Sequence, residues 1–239
     1  EGVKSLISSI DAALQESDPG MWQARIALAT DNDWTQRHVV TRDAIRDLHP
    51  KVSIVVISFN NVGMTRGCIE SIFRNTVWPN FEVIVVDNGS TDDTRAWLRF
   101  VARERGDVRV VLNAENRGFA AANNQGLAVA TGEFLVLLNN DTIVPRGWLE
   151  PLLAQLRRPD VGLVGPVTNF VGNEAKVDVD YRSVEDMEAF AQRWMTTHMG
   201  EEFDISMLAM FCVAMRKEVH AQIGDLDERF GTGMFEDDD

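Results

Sequence analysis

Side chains able to bind or react follow three of the strands that the sequence predicts. Polar and aromatic residues stand at these strand ends, and they are Ser58, Phe59, Asn60, Asp87, Asn88, Asn139, Asn140 and Asp141. Any one group alone means little, because Asn and Asp are common turn residues. Ligands of open α/β sheets bind beyond the carboxyl ends of strands, so the combination predicts one binding site.

The acid in the last group, Asp141, follows a run of apolar residues in "GEFLVLLNND". Desolvating a carboxylate costs free energy unless a cation or hydrogen bonds compensate. A divalent cation such as Mn2+ or Mg2+, bridging Asp141 to a diphosphate, would compensate. We therefore predict that Asp141 is a metal ligand.

The charge balance narrows the class of ligand. The 239-residue chain has a formal net charge of -14, which argues against non-specific binding of nucleic acid. An acidic protein that binds an anion must hold it with backbone amides, a few cations or a bound metal. The charge therefore agrees with the metal site predicted at Asp141.

The chain has no obvious membrane or disulfide signal. Its longest apolar run, "MLAMFCVAM", is too short to span a bilayer, and no signal peptide opens the sequence. Two cysteines, Cys68 and Cys212, do not make a disulfide framework or a metal motif. We expect a cytoplasmic protein that reaches the inner face of the membrane, if at all, through partners or missing domains.

The elements that must position the strand-end groups alternate between strands and helices. β-branched runs alternating with helical patterns predict an α/β fold with a doubly wound, mostly parallel sheet flanked by helices. The predicted strands are "VSIVVISF", "FEVIVVD", "VRVVL", "FLVLL" and "VGLVG". Predicted helices between them lie near residues 64–74, 91–103, 119–129 and 146–156.

The two ends of the chain differ from this core. Residues 1–50 predict a helical lead-in or linker. After Pro166 the pattern loosens into a loop, a helix in "VEDMEAFAQRWM", a long strand-like run in "DISMLAMFCVAMRK" and a short helix. The start on Glu1 and the acidic end suggest a piece of something longer.

Four stretches, in order, resemble family-2 glycosyltransferases, which have the GT-A fold. They are "VSIVVISFNN", "VIVVDNGSTDDT", "NRGFAAANNQGLAVATGEFLVLLNNDT" and "IGDLDERFGTGMFEDDD". The resemblance implies a GT-A domain over residues 51–239, truncated at its C-terminus. It also implies inverting transfer of a sugar from a UDP or dTDP sugar to a hydroxyl of a glycan or lipid-linked glycan.

The same resemblance assigns roles to individual residues. Asp87 would accept a hydrogen bond from the pyrimidine ring, with Phe59 beside it. Asp141 matches the second acid of the family's Asp-any-Asp motif, and Asn139 stands where the first acid would be. In "NRGFAAANNQG", the residues Asn116, Gly118 and Asn124 are further donor contacts, although a helix start with packing alanines explains this motif equally well.

The acidic end acquires a role only through the resemblance. By composition alone, "EDDD" is a solvated tail. The family places an acid pair there, and one acid removes the proton of the acceptor hydroxyl, which is a poor nucleophile until deprotonated. We predict Asp237 as this base, with Glu236 and Asp238 orienting the base or the acceptor.

Two other functions compete with this prediction. A sugar nucleotidyltransferase shares a related sheet, but it needs a Gly-rich phosphate loop, and "SFNNVGMTRG" has only Arg66 and scattered glycines. A donor-binding module without activity is the non-enzyme alternative. A dinucleotide oxidoreductase is less favoured, because no Gly-x-Gly-x-x-Gly follows the first strand.

Overall fold

A computed structural model describes residues 2–15 and 18–231, except for the side chain of Phe230. The chain divides into two compact units, residues 1–48 and 49–239. Across the described ranges, none of the helices combines the length and the apolar character needed to cross a bilayer.

The first unit consists of three helices, as the pattern of residues 1–50 predicts. They are α1 (Val3–Leu14), α2 (Pro19–Asp31) and α3 (Trp34–Asp47). Asp18 caps α2 by accepting from Gly20 N, and Asp33 caps α3 by accepting from Gln36 N. None of the residues in these three helices is buried.

The second unit alternates strands and helices. The strands are β1 (Val52–Ser58), β2 (Phe81–Asp87), β3 (Val108–Leu112), β4 (Phe134–Asn139), β5 (Leu163–Val164) and β6 (Cys212–Arg216). The helices are α4 (Val62–Asn75), α5 (Thr94–Glu104), α6 (Phe119–Val129), α7 (Leu149–Leu156), α8 (Val184–Thr197) and α9 (Lys217–Ile223). A 3-10 helix, Glu228–Phe230, follows.

The strands form one sheet in the order β3-β2-β1-β4-β6-β5. Strands β1 to β4 are mutually parallel where they pair, whereas β6 runs antiparallel to both β4 and β5. From β1, the strands β2 and β3 are added on one side and β4 on the other side of the sheet. The boundary between β1 and β4 is therefore the topological switch point, where such sheets bind ligands. The predicted α/β fold with a mostly parallel sheet is confirmed.

Both faces of the sheet are covered, which explains the nearly continuous apolar strands. On one face, Ile54 and Val56 belong to a buried cluster with residues of α4, α5 and α7. On the other face, Val55 and Leu127 belong to a second cluster. Helix α6 lies close to this face, since a Cβ on Gly126 would stand 2.3 Å from Val55 Cγ1.

The late part of the chain holds less strand than its sequence predicts. The run "DISMLAMFCVAMRK" forms a strand only over Cys212–Arg216, because pairing with β4 ends where Leu138 meets Cys212. Strand β5 has only two residues, as suits its position at the sheet edge. Helix α7 begins at Leu149, three residues later than predicted.

Candidate functional site

Three strand ends meet at one edge of the sheet. In the parallel register, Ser58 pairs with Asp87 across β1 and β2, and Ile57 pairs with Asn139 across β1 and β4. Neighbouring strands lie about 4.8 Å apart, so these ends fall within the reach of one ligand. The structure thus brings together the three groups singled out from the sequence. We call this edge the strand-end edge.

Asp87 is the buried acid of the strand-end edge. Its side chain is fully buried, and Oδ2 accepts from Ser90 N at 3.3 Å and lies 3.4 Å from Arg95 Nε. Among the described residues, Oδ1 is buried and has no hydrogen-bond partner. Buried polar atoms are normally paired, so Oδ1 is an acceptor left for a ligand.

Asn88 holds the neighbouring loop by both ends of its amide. Its Nδ2 donates to Asn116 Oδ1 at 2.8 Å and to Gly118 O at 3.0 Å. Its Oδ1 accepts from Asn113 Nδ2 at 3.1 Å and from Arg117 N at 2.9 Å. The structure therefore gives Asn88, Asn116 and Gly118 a part in shaping the loop before α6.

Gly89 lies where the turn after β2 contacts the loop before α6, and this close contact requires a glycine. Its φ is +86°, and a Cβ there would lie 2.6 Å from the backbone carbon of Glu115 and 2.8 Å from Asn116 N. Only glycine tolerates both this conformation and this approach. The turn after β2 and the loop before α6 are consequently one packed unit.

Asn60 joins the turn after β1 to the turn after β2. Its backbone N donates to Ser90 Oγ at 2.7 Å, and its Oδ1 accepts from Thr91 N at 2.8 Å. Its φ of 56° is in the left-handed region, where Asn is one of the tolerated residues. The preceding Phe59 is 48% exposed and offers a ring face at the strand-end edge.

Thr65, in the first turns of α4, links the ends of β1 and β4. Its Oγ1 lies 2.8 Å from Ser58 Oγ and accepts from Asn140 Nδ2 at 2.9 Å. Ser58 and Thr65 are fully buried, whereas Asn139 and Asn140 are half-buried. Through Thr65, the side chains of Ser58 and Asn140 thus connect the ends of β1 and β4.

Asp141 differs from its predicted surroundings. It lies in a turn closed by the hydrogen bond from Thr142 N to Asn139 O at 3.2 Å, and it is exposed. The strand run buries its apolar side chains, but the chain turns into solvent before Asp141. Asp141 is therefore not desolvated, so it needs no cation to compensate for burial. The prediction of a metal at Asp141 then depends on the negative charge of the diphosphate that the metal would contact.

Asn124 faces another part of the chain. Its Oδ1 accepts from Leu226 N at 3.0 Å, and its Nδ2 donates to Leu226 O at 2.9 Å and to Glu228 Oε1 at 3.1 Å. The predicted catalytic acids Glu236, Asp237 and Asp238 lie outside the described residues.

Comparison with known proteins identifies the family. The sequence profile of the glycosyl transferase family 2 matches residues 53–224. The chain belongs to this family. The match covers β1 to the end of α9, and so it includes every group of the strand-end edge.

Relatives and solved structures agree with this family-2 assignment. The chain is 30% identical over 208 residues to the O-antigen biosynthesis protein RfbC of Myxococcus xanthus, covering 76% of this chain and 15% of that protein. Two structures share the fold. A mannosyltransferase of Pyrobaculum calidifontis in complex with GDP-Man and Mn2+ has TM-score 0.57 and 24% identity, over 75% of this chain and 48% of that one.

The second structure is GalNAc-T7 with UDP, GalNAc and Mn2+, with TM-score 0.63 and 16% identity, over 79% of this chain and 38% of that one. This family-2 chain therefore has the GT-A fold. It spans less than half the length of each of these three proteins.

The described part of this family-2 chain holds no metal site built from protein side chains alone. No group of three or more His, Cys, Asp or Glu side chains that could hold a metal ion occurs in residues 2–15 and 18–231. Mg2+ and similar hard cations are often bound by one or two carboxylates together with substrate phosphates. Exposed Asp141 at the strand-end edge fits a metal site that is completed by substrate phosphates. It does not fit a site in which protein side chains supply all the ligands.

The two cysteines are unsuited to be nucleophiles. Cys68 is buried under β4 and its Sγ donates to Asn139 O at 3.5 Å. Burial, with a contribution from the charge of Asp141, raises the pKa of Cys68 well above its usual range. Burial also raises the pKa of Cys212 to about 12. Both thiols therefore stay protonated at neutral pH.

Sequence reasoning missed the side chains that support the site. Ser90, Thr65 and Asn113 each hold a predicted residue in place through hydrogen bonds. Ser90 lies within the quoted "VIVVDNGSTDDT", and Thr65 is one of two hydroxyl residues, with Ser71, on the buried face of α4. Asn113 was not marked by any local pattern.

Proposed function

We propose that residues 51–239 form a glycosyltransferase domain that moves a sugar from a nucleoside-diphosphate sugar to a hydroxyl of a glycan or lipid-linked glycan. The observation that carries the proposal is the buried, unpartnered Oδ1 of Asp87 at the strand-end edge of a family-2 chain. An acceptor in that place suits the ring N–H of a uracil or thymine. The proposed donor is accordingly of the UDP or dTDP type.

The rest of the donor has matching groups at the same edge. The half-exposed ring of Phe59 can pack against the base. Asp141 would hold a divalent cation, Mn2+ or Mg2+, against the diphosphate, as suits a chain with a net charge of -14. Such a cation, when bound, stabilises negative charge on the departing diphosphate. The two similar structures contain Mn2+, which supports this choice.

The reaction itself is proposed as one direct displacement with inversion. An acid among Glu236, Asp237 and Asp238, with Asp237 as first choice, takes the proton of the acceptor hydroxyl. The hydroxyl oxygen bonds to the anomeric carbon as the bond from that carbon to the diphosphate oxygen breaks. The nucleoside diphosphate leaves with the bonding electron pair, and no covalent intermediate with the protein forms.

The acceptor is proposed from the relatives. RfbC is named for O-antigen biosynthesis, and its similarity covers 76% of this chain. We therefore propose a growing surface polysaccharide, free or lipid-linked, as the acceptor.

A binding experiment tests the donor site. UDP, dTDP and GDP are titrated into the chain with and without Mn2+, and the dissociation constant is measured by calorimetry. We expect the pyrimidine diphosphates to bind, Mn2+ to strengthen the binding, and Asp141→Ala to remove most of the gain from Mn2+. Asp160→Ala is the matched control, because Asp160 is also exposed and its ion pair among the described residues is with Arg158 on the surface.

Four results would count against the proposal. An unchanged Mn2+ effect in Asp141→Ala, or an equal loss of that effect in Asp160→Ala, would show that Asp141 is not specifically responsible for it. Absence of any nucleoside-diphosphate binding would remove the donor site altogether. Release of pyrophosphate from a nucleoside triphosphate and a sugar 1-phosphate would favour a nucleotidyltransferase, and binding without release of diphosphate from any nucleotide sugar would favour an inactive module.

A further inference from the structure

Helix α6 is fixed at its first turn by the strand-end edge. Asn88, next to Asp87 at the end of β2, donates to Gly118 O at 3.0 Å, where α6 begins. About two turns further along α6, Gln125 and Asn113 exchange hydrogen bonds of 2.7 and 3.1 Å. The side of α6 that faces this loop is therefore tied to the residues that we propose bind the donor.

The same helix holds a segment about a hundred residues away in sequence through Asn124. The amide of Asn124 pairs with both the N–H and the C=O of Leu226, at 3.0 and 2.9 Å, as a neighbouring β-strand would. Its second N–H donates to Glu228 Oε1 at 3.1 Å. Asn124 is only 8% exposed, so these hydrogen bonds are largely shielded from water.

Leu226 is anchored by its side chain as well. The side chain packs against the buried cluster that includes Val55, Leu127 and Leu137. Directly after it, Asp227 Oδ1 accepts from Arg229 N at 2.8 Å and starts the 3-10 helix Glu228–Phe230. The segment 226–228 is thus held from the core side by packing and from the α6 side by one amide.

We propose that Asn124 is a positioning residue of the transfer reaction and not a donor contact. It fixes segment 226–228, which precedes the proposed acids Glu236 to Asp238 in the sequence, and we infer that it acts on the transfer step through this segment. This inference rests on the proposed function. Both N–H groups of its amide are used within the chain, and this leaves neither for the donor.

The test compares two neighbouring amides of α6. Asn124→Ala removes the hydrogen bonds to segment 226–228. Asn123→Ala is the matched control, because Asn123 is also buried but, within the part of the chain that the structure describes, its Nδ2 donates to Phe119 O of the same helix and not to segment 226–228. For each variant we measure amide hydrogen exchange at Leu226, the dissociation constant of UDP with Mn2+, and kcat and KM for release of diphosphate from the nucleotide sugar that the wild type turns over.

We expect Asn124→Ala to speed exchange at Leu226 and to lower kcat about tenfold or more, because small misplacements of a catalytic group are costly. The KM for the donor and the dissociation constant of UDP stay at the wild-type values. Asn123→Ala leaves kcat and exchange at Leu226 unchanged. A protein destabilised in general would instead show the same losses in both variants.

A second pair of variants distinguishes a loss of positioning from a general loss of stability. Asn124→Asp places a carboxylate beside Glu228 and should lower kcat further than Asn124→Ala. Adding Glu228→Gln supplies an N–H donor to that carboxylate and should recover part of the loss.

Three results would overturn the inference. Weaker UDP binding in Asn124→Ala with unchanged kcat would make Asn124 a donor contact. Faster exchange at Leu226 with unchanged kcat would show that the segment does not control the chemistry. Wild-type protein that neither binds UDP with Mn2+ nor turns over a nucleotide sugar would refute the proposed function first, before any variant is made.

Discussion

Strand β2 has a buried acid at each end, and the two acids have opposite surroundings. Glu82, near the start of the strand, accepts from Lys51 Nζ at 2.9 Å, Ser53 Oγ at 2.7 Å, and both the N and the Oγ1 of Thr131 at 2.9 and 2.8 Å. Asp87, at the end of the strand, has Ser90 N and Arg95 beside Oδ2 and no hydrogen-bond partner on Oδ1 among the described residues.

The difference separates an acid that the fold uses from one that we propose binds the ligand. Both carboxylate oxygens of Glu82 accept hydrogen bonds from within the chain, so the fold depends on it. Asp87 retains an unused acceptor in a buried place, which is a cost that folding alone does not explain. Burial by itself therefore does not mark an acid as a ligand-binding candidate, and for Asp87 the argument is the combination of an unused buried oxygen with a position at the strand-end edge.

The largest effect is expected when the structural acid is removed. Glu82→Ala removes the carboxylate that pairs with the ammonium of Lys51, which keeps only its hydrogen bond to Thr131 Oγ1 among the described residues, and it leaves three other donors without this acceptor. Breaking a buried pair on one side costs about 3–5 kcal/mol of unfolding free energy. We expect chemical denaturation to show a loss of that size, with nucleoside-diphosphate binding unchanged in the folded protein.

Glu133→Ala is the control for this loss. Glu133 lies at the same edge of the sheet, is exposed, and its carboxylate has no ion pair or hydrogen bond within the described residues. Its substitution should change stability little. A similar loss in both variants would mean that the hydrogen bonds of Glu82 do not matter.

The pH dependence of Glu82 gives the next largest effect. Burial by itself would raise its pKa, but the hydrogen bonds from Lys51, Ser53 and Thr131 outweigh burial and lower the pKa from 4.5 to about 2. A lowered folded pKa stabilises the protein above the unfolded pKa, and this contribution is lost as pH falls from about 4.5 to about 2. Its total is about 3 kcal/mol.

Unfolding free energies of wild type and Glu82→Gln, measured from pH 6 downward, check this window. The difference between the two proteins should be constant above pH 4.5 and shrink by about 1.4 kcal/mol per pH unit below it. A difference that stays constant to pH 3 would show that the Glu82 pKa is not lowered.

Much of the fold was predictable because local pattern and tertiary environment agree. The β-branched runs of β1 and β2 are buried on both faces, and the predicted and observed bounds of β1, β2 and β3 nearly coincide. The location of the site was predictable, because the carboxyl ends of parallel strands lie at the same edge of a sheet. Strand β6 was overestimated because the length of its partner β4, and not its own apolar run, limits it.

The supporting contacts of the site were not predictable in the same way. Whether an amide such as Asn88 or Asn124 faces a ligand or the chain itself depends on segments far away in sequence, here residues 113–118 and 226–228. The exposure of Asp141 depends on where the chain turns after β4, and an apolar run cannot report that. Residue types indicated the chemistry, and long-range hydrogen bonds decided which residues support it.

The smallest of the three effects tests the ligand-binding acid. Asp87→Asn keeps the shape of the side chain but replaces one acceptor oxygen by an N–H donor and removes the charge that Arg95 faces. A hydrogen bond to a charged group contributes about 1.5–3 kcal/mol, so the dissociation constant of UDP with Mn2+ should rise about 10- to 100-fold. Thermal unfolding without nucleotide should change much less than it does in Glu82→Ala.

Two further variants locate the cause of that loss. Asp107→Asn removes a surface acid that also pairs with an arginine, Arg105, at 3.3 Å, and it should leave UDP binding unchanged. Arg95→Gln removes the cation beside Asp87 but keeps the free oxygen, and it should weaken UDP binding less than Asp87→Asn does. If Arg95→Gln weakens binding equally, the ion pair and not the unpartnered Oδ1 is what the nucleotide depends on, and the contrast with Glu82 loses its functional meaning.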